Sequence, residues 1–312
     1  MKGQKFEDFV WSHVDYFKKI YLNRDEFFVP KGKDGSDAYY VSDDAVMLWA
    51  REIAQCYVPS NKSNQLINDL LEKRGGQYSN GTLYSSSRFV AETFRSEKNR
   101  QAFLDALDIK EDAAKFQWTL EYRLPIDGLP RPAQLDLAVE NDDYFIGIEG
   151  KMKEIYTSWD NDFSFAYENG KNHYLSEFSD FLNVDEKLKR KSGRFYHHTT
   201  IKGYEKCNFY YKQQICHLIA MRQKKAKENK PNKKYMFLNF VFDPRDVDPK
   251  ENVAIESYAQ NESAIMTFLR PHFEDDENKI EYRGLLTQKS DYLSRKTNGE
   301  YSISFAFLND KK

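Results

Sequence analysis

The fold is decided by AQLDLAVE (residues 133–140) and YFIGIEGKM (144–152), joined by Asn141-Asp142-Asp143. Leu135, Leu137 and Val139 recur at period two, and the second segment has an apolar centre, so each reads as a strand. Three polar residues between them predict a tight hairpin. Just upstream, FQWTLEYRLP (116–125) alternates as well, with Trp118, Leu120, Tyr122 and Leu124 on one face, giving three successive strands. On the strand from Tyr144, period two puts Ile146 and Ile148 on one face and Glu149 with Lys151 on the other. Asp136, by the same count, faces away from Leu135 and Leu137. Two carboxylates on neighbouring strands then converge, with an amine beside them.

Around this hairpin the apolar period is helical. Residues 5–22 carry Phe6, Phe9, Val10, Phe17 and Ile20 at helical spacing, and further helices are expected from after Ser42 to Pro59 and over 63–74. Gly75-Gly76 and Asn80-Gly81 mark turns. A helix capped by Ser86 or Ser87 carries Phe89, Val90 and Phe94, and another covers 98–107. Downstream, 209–221 reads as a helix, 235–242 (YMFLNFVF) as a buried strand, 261–270 as a helix, and 279–286 and 301–308 as short apolar strands. The stretch 153–206 is charged and aromatic, with no clear period.

Bulk composition narrows the class. At 312 residues the chain can bury one large domain or two modest ones, and a net charge of −2 argues against a polycation that holds nucleic acid by charge alone. Cys56, Cys207 and Cys216 match neither a disulfide framework nor a zinc spacing, which points to a reducing, cytoplasmic setting. No run of 18 uncharged apolar residues is present, so no membrane partner is expected. No glycine-rich phosphate loop ends in Lys-Ser or Lys-Thr, which argues against an ATP-driven mechanism.

Asp136, twelve residues, then Glu149-Gly150-Lys151 is the spacing that carries chemistry. Acid-x-lysine alone is weak, since the chain holds seven such triplets, starting at Asp108, Glu149, Asp185, Glu228, Asp248, Glu277 and Asp310. Only the one at Glu149 ends an apolar strand whose hairpin partner also carries an acid. Phosphodiester hydrolysis wants such a set: carboxylates for a hard cation such as Mg²⁺, which acidifies a bound water and neutralises developing charge. Lys151 would orient the water or stabilise that charge. The plainer explanation is a surface hairpin with solvated charges at an accidental spacing.

This stretch resembles the PD-(D/E)xK nuclease superfamily, the restriction-endonuclease-like fold, and is similar to a bacterial group of such proteins of unknown role. The resemblance rests on SSSRFVAETF (85–94), the strand pair around Asp136 and IEGKM, YYKQQICHL (210–218) and YMFLNFVF (235–242). The order is helix, three strands, helix, strand. The signature's proline is displaced, Pro132 lying four residues before Asp136. The resemblance implies an α/β fold: a restriction-endonuclease-like core over 83–312, its mixed sheet flanked by helices, with an N-terminal helical region, 1–82, packed on it. It implies Mg²⁺ (with Mn²⁺ as substitute) held by Asp136, Glu149, Gly150 and Glu92, the last on the helix before the first strand, where a solvated glutamate is the alternative. It also implies that Gln213 or Gln214 stands near the site, unless both are ordinary helix formers.

The implied activity is hydrolysis of DNA, as an endonuclease, with RNA as an alternative substrate and a homodimer as one arrangement for paired cuts. The rival from another class is a catalytically silent module of the same fold that binds nucleic acid or protein. Glu121 is a second acid whose face parity does not decide. His217 reads as a structural histidine. Two basic runs, Lys187 to Arg194 beside Tyr196, His197 and His198, and Arg222 to Lys234, are each either a phosphate-tracking patch or a solvated segment.

Overall fold

In chain order the computed structural model contains β1 (Phe28–Lys31), β2 (Ala38–Val41), α1 (Asp43–Tyr57), α2 (Ser63–Leu70), β3 (Lys73–Arg74), β4 (Gln77–Tyr78), α3 (Ser86–Thr93) and α4 (Glu97–Ala106). The three expected strands follow as β5 (Gln117–Leu124), β6 (Ala133–Glu140) and β7 (Tyr144–Lys151). Then come β8 (Asp162–Ser164), β9 (Leu182–Val184), β10 (Lys189–Lys191), β11 (Arg194–Ile201), α5 (Tyr211–Glu228), β12 (Lys234–Val241), α6 (Asn252–Leu269), β13 (Ile280–Gln288) and β14 (Ser304–Phe307). The described residues are 28–31, 38–41, 43–58, 63–71, 73–74, 77–78, 85–156, 161–169, 171–185, 187–191, 193–205, 207–246, 249–274, 279–288 and 304–308. The helix expected over 5–22 lies outside them.

The central sheet has six strands in the order β14-β13-β12-β7-β6-β5. It is mixed: β12 runs parallel to both β7 and β13, while β5–β6, β6–β7 and β13–β14 are antiparallel. A parallel β7–β12 pair requires a long crossover, and that connection contains a small sheet of β8 to β11 and α5. Helices cover both faces. On one, Phe89, Val90 and Phe94 of α3 and Phe103 of α4 join Leu137, Val139, Ile146, Ile148, Leu238 and Phe240 in a single cluster. Val46, Trp49, Ala50 and Ile53 of α1 belong to that same cluster, so α1 packs directly on the core. The other face carries Ile215, Leu218 and Ile219 of α5 and Ile265, Met266 and Leu269 of α6, against Leu135, Phe145, Phe237 and Val241.

Several boundaries differ from expectation. Ser85, one residue early, caps α3 by accepting the Arg88 N–H at 3.3 Å, which leaves Ser87 free for another partner. The helix expected over 63–74 stops at Leu70, because Lys73 and Arg74 pair with Tyr78 and Gln77. Helix α6 begins at Asn252 rather than near 261. The stretch without a period holds a four-stranded sheet in which β11 pairs β8, β9 and β10.

The largest correction concerns parity. Trp118 and Leu120 enter the first cluster, whereas Leu124 enters the second and Tyr122 packs against it. Leu137 and Val139 lie in the first cluster, but Leu135 lies in the second. Neither row of alternating residues therefore shares one face. Both strands change face at one level, at Glu121 on β5 and Asp136 on β6, which the flanking pairs Leu120–Leu137 and Tyr122–Leu135 set opposite each other. Glu121 takes a left-handed backbone, φ 53°, which costs a non-glycine residue on the order of 1 kcal/mol. Strand β7 keeps its alternation, with Ile146 and Ile148 on the α3 side and Glu149 and Lys151 beneath α5, as expected.

Candidate active site

Where β5 and β6 change face, the ladder between β6 and β7 ends at Leu137–Ile148. The Gly150 N–H beyond it is taken by the Asp136 side chain, Oδ2 accepting at 2.7 Å. The other oxygen, Oδ1, accepts from the Ser87 hydroxyl at 2.6 Å. Gly150 is required here: an added Cβ would come within 2.6 Å of Val90 Cγ2 and 3.0 Å of the Ser86 carbonyl oxygen. Helix α3 can thus sit close enough for Ser87 to reach Asp136 only because the middle residue of the Glu149-Gly150-Lys151 triplet has no side chain.

On the opposite face of β7, Lys151 Nζ donates to Glu149 Oε1 at 2.9 Å and to Gln213 Oε1 at 2.6 Å. The Gln213 amide in turn donates to the same Glu149 oxygen, closing a three-membered ring of contacts. His217, one turn further along α5, brings Nε2 to 3.1 Å from the other Glu149 oxygen, Oε2. Asp136, Glu149 and Lys151 are 8%, 3% and 1% exposed. Water therefore screens these charges weakly.

Burial pushes the Asp136 carboxyl well above its ordinary range, and the nearby Glu149 and Glu121 push it further, against the Ser87 hydrogen bond and Lys151. Glu149 moves the other way. Burial opposes its ionisation, but Lys151 and His217 outweigh that and hold it below the usual carboxylate range. Lys151 is likewise raised, burial being outweighed first by Glu149 and then by Glu154 and Asp136. Glu121 is pushed up to about 7 by burial, eased by hydrogen bonds from Gln134 and Ser87 and reinforced by the nearby Glu149 and Asp69 carboxylates. Asp136 thus resists ionisation beside a Glu149–Lys151 pair whose opposite charges support each other.

The sequence-selected residues divide. Asp136, Glu149, Gly150, Lys151 and Gln213 are brought together. Glu92 is not: it lies on the α1 side of α3, 2% exposed, where Oε1 accepts from Trp49 Nε1 at 2.8 Å and Oε2 from Arg95 at 3.3 Å. Gln214 is fully buried, and neither amide atom has a hydrogen-bond partner among the described residues.

Glu121, the second acid whose face parity leaves open, is placed opposite Asp136 by the register. Two features were not selected from the sequence. Ser87 reads only as a cap. On the α5 side of the sheet, Asn239 lies beside Glu149 in register and donates to Tyr258 Oη at 2.9 Å and Glu262 Oε1 at 2.6 Å. Glu262 Oε1 also accepts from Tyr282 at 2.6 Å, and Gly284 leaves room for the carboxylate, an added Cβ falling 2.5 Å from Oε2. Asn239 inside a strand of aromatic and aliphatic residues was the available signal for this polar stripe.

No group of three or more His, Cys, Asp or Glu side chains poised to hold a metal ion is present among the described residues. No helix among them is long and apolar enough to cross a membrane, and the three cysteines are free. No family model, curated protein or solved structure matches the chain.

Proposed function

We propose that the chain is a metal-dependent nuclease with a restriction-endonuclease-like core, hydrolysing DNA phosphodiesters internally at the Asp136–Glu149–Lys151 group. The observation that carries this reading is that Asp136, at the break in the sheet, and the Glu149–Lys151 pair beneath α5 lie close enough for their charges to act on one another, with the buried ammonium oriented by Gln213. A magnesium ion fits the donor set. Mg²⁺ characteristically uses one or two carboxylates and keeps its remaining waters, so a third ligating side chain is not needed. Asp136, Glu121 and Glu149 stand near enough to raise one another's cost of ionisation, and a bound cation would relieve that cost.

Asp136 and Glu149, with the backbone of Gly150, would hold the ion, which when bound supplies an acidified water and charge neutralisation at the phosphate. The chain's own residues do the rest. Ser87 and the Gly150 N–H fix the Asp136 carboxylate. Gln213 bridges Glu149 and Lys151 and so fixes the direction of the amine, whose positive charge is positioned to orient a nucleophile or meet a phosphate oxygen.

A second reading, a catalytically silent module that binds nucleic acid or protein, is favoured by the closed Glu149–Lys151–Gln213 ring and by the near-complete burial of the group. Supercoiled DNA, linear DNA and RNA, each incubated with Mg²⁺ or Mn²⁺, separate the two. Nicked or shortened products that chelation abolishes, and that Asp136→Asn, Glu149→Gln and Lys151→Met each reduce at least about 100-fold, are expected. Binding without cutting of any substrate supports the silent module. Cleavage that survives both acid substitutions overturns the assignment of the site.

A further inference from the structure

The small sheet β8–β11 sorts its side chains by register. Lys189 is opposite Tyr196, Lys191 opposite Arg194, and Asp162 opposite His198, and directly opposed residues share a face. That face therefore carries Lys189, Lys191, Arg194, Tyr196 and His198, while Arg190 and Phe195 point the other way. Asp162, 4% exposed, gathers the cations. It accepts from His198 Nδ1 at 2.6 Å, contacts Lys191 Nζ, and has Lys189 Nζ at 3.6 Å. Holding Nδ1 this way leaves Nε2 as the nitrogen of His198 that can meet a ligand. One buried carboxylate thus organises three basic groups, with lysine side chains that remain 42% and 46% exposed. The face keeps a net positive charge.

This face adjoins the candidate active site through Asn161. Asn161, next to Asp162, accepts the Lys212 N–H on Oδ1 at 3.1 Å, and Lys212 is next to Gln213, which holds Lys151. Tyr210, its hydroxyl raised to about 12 chiefly by burial, also senses Lys151, Asp162 and Lys191.

The other basic run has neither property. Lys224 and Lys233 are paired with Glu140 and Glu228, Lys227 with Asp127, and Lys230 with Asp142. Lys234 stands opposite Tyr144, where β7 begins, and Lys151 is where β7 ends. At about 3.3 Å per residue, the run is on the order of 20 Å from the site.

We propose that the face bearing Arg194 together with Lys189, Lys191 and His198, the last three gathered on Asp162, binds the phosphate backbone of the nucleic-acid strand presented to the Asp136 group. This rests on the nuclease reading and adds the path of the substrate. The test is fluorescence anisotropy of labelled single-stranded and duplex oligonucleotides in chelator, so that nothing is cut, from 50 to 200 mM salt. Lys189→Glu/Lys191→Glu should weaken binding at least about tenfold and flatten the log–log salt slope by about 1.4–1.8, since two released phosphate contacts contribute about 0.7–0.9 each. Lys227→Glu/Lys230→Glu, the same charge change at the far end, should leave the slope as in the wild type. Lys189→Ala/Lys191→Ala, matched to wild type by circular dichroism, guards against misfolding and should show about the same loss of slope.

Equal slopes in wild type and the 189/191 variants, equal losses in the control, or no wild-type binding at 50 mM salt each overturn the proposal. Cleavage assays keep the two ideas apart. A wild type that cuts, with 189/191 variants that bind and cut as it does, refutes the phosphate face alone. A wild type with the expected slopes but no cleavage refutes the nuclease reading and supports the face.

Discussion

Replacing Glu121 by glutamine should stabilise the protein above pH 7 and give no gain below pH 4.5. Glu121 faces Asp136 across the β5–β6 pair and is pushed up from its ordinary 4.5 to about 7, chiefly by burial. The sign follows from proton counting. As pH rises through 4.5 the unfolded chain releases this proton, while the folded protein keeps it until about 7. Across that window the folded state binds more protons, so stability falls as pH rises, and the loss is complete above it. At about 1.4 kcal/mol per pH unit the full window corresponds to about 3 kcal/mol. Solvent reaches part of this side chain and Asp136 shares the titration, so about 1–2 kcal/mol is the expected size. Glutamine keeps an oxygen that can accept the Gln134 contact and carries no charge to expel. Urea unfolding at pH 4, 5.5 and 8 measures the difference. The variant should match wild type at pH 4, exceed it by part of this amount at pH 5.5 and by all of it at pH 8, and Mg²⁺ at pH 8 should narrow the gap by offsetting the wild-type charge. Parallel pH profiles for the two proteins would refute the reasoning.

Glu92→Gln should lower the thermal midpoint by a few degrees, through its contacts with Trp49 and Arg95, while cleavage per folded molecule stays within about twofold. A selective loss of activity would return Glu92 to the metal. Gly150→Ala should cost about 1–3 kcal/mol in denaturant unfolding, because the new methyl meets Val90 and the Ser86 backbone. Gly147→Ala should cost less, since its nearest neighbours are the ends of the Leu135 and Met221 side chains. Asn239→Ala should destabilise by about 1–3 kcal/mol, leaving the buried Glu262 carboxylate without that donor, and this is read in the same unfolding experiment.

The strand pair and the placement of Glu149 and Lys151 were legible in the sequence because β7 is regular. Ile146 and Ile148 have one core to enter, and the two charged residues fall on the other side. The same count failed on β5 and β6 for a physical reason. The sheet is covered by helices on both faces, so Leu120 and Leu124, or Leu135 and Leu137, can each be buried on either side, and an unbroken apolar alternation does not say which. A sheet with one wet face would have forced the choice.

The only sequence trace of the switch is the pair of acids at its level, Glu121 and Asp136, and it becomes readable once the register sets them opposite each other. Glu92 misled for the complementary reason. Its helix was located correctly, but no local pattern reveals that α1 would lay Trp49 over that face. Asp162 was invisible because three-residue strands carry no period. The residues that sequence periodicity locates best are thus those on the regular strand. The groups that set the charge balance of the site, Glu121 and Asp136, sit where the period breaks, and a left-handed glutamate beside a buried aspartate is retained there at a cost in stability. If Glu121 serves no purpose beyond structure, glycine at that position should be better in every assay. If it balances a bound cation, Glu121→Gly should gain stability in chelator and lose cation-dependent cleavage, and those two measurements on one variant decide between strain kept for function and strain merely tolerated.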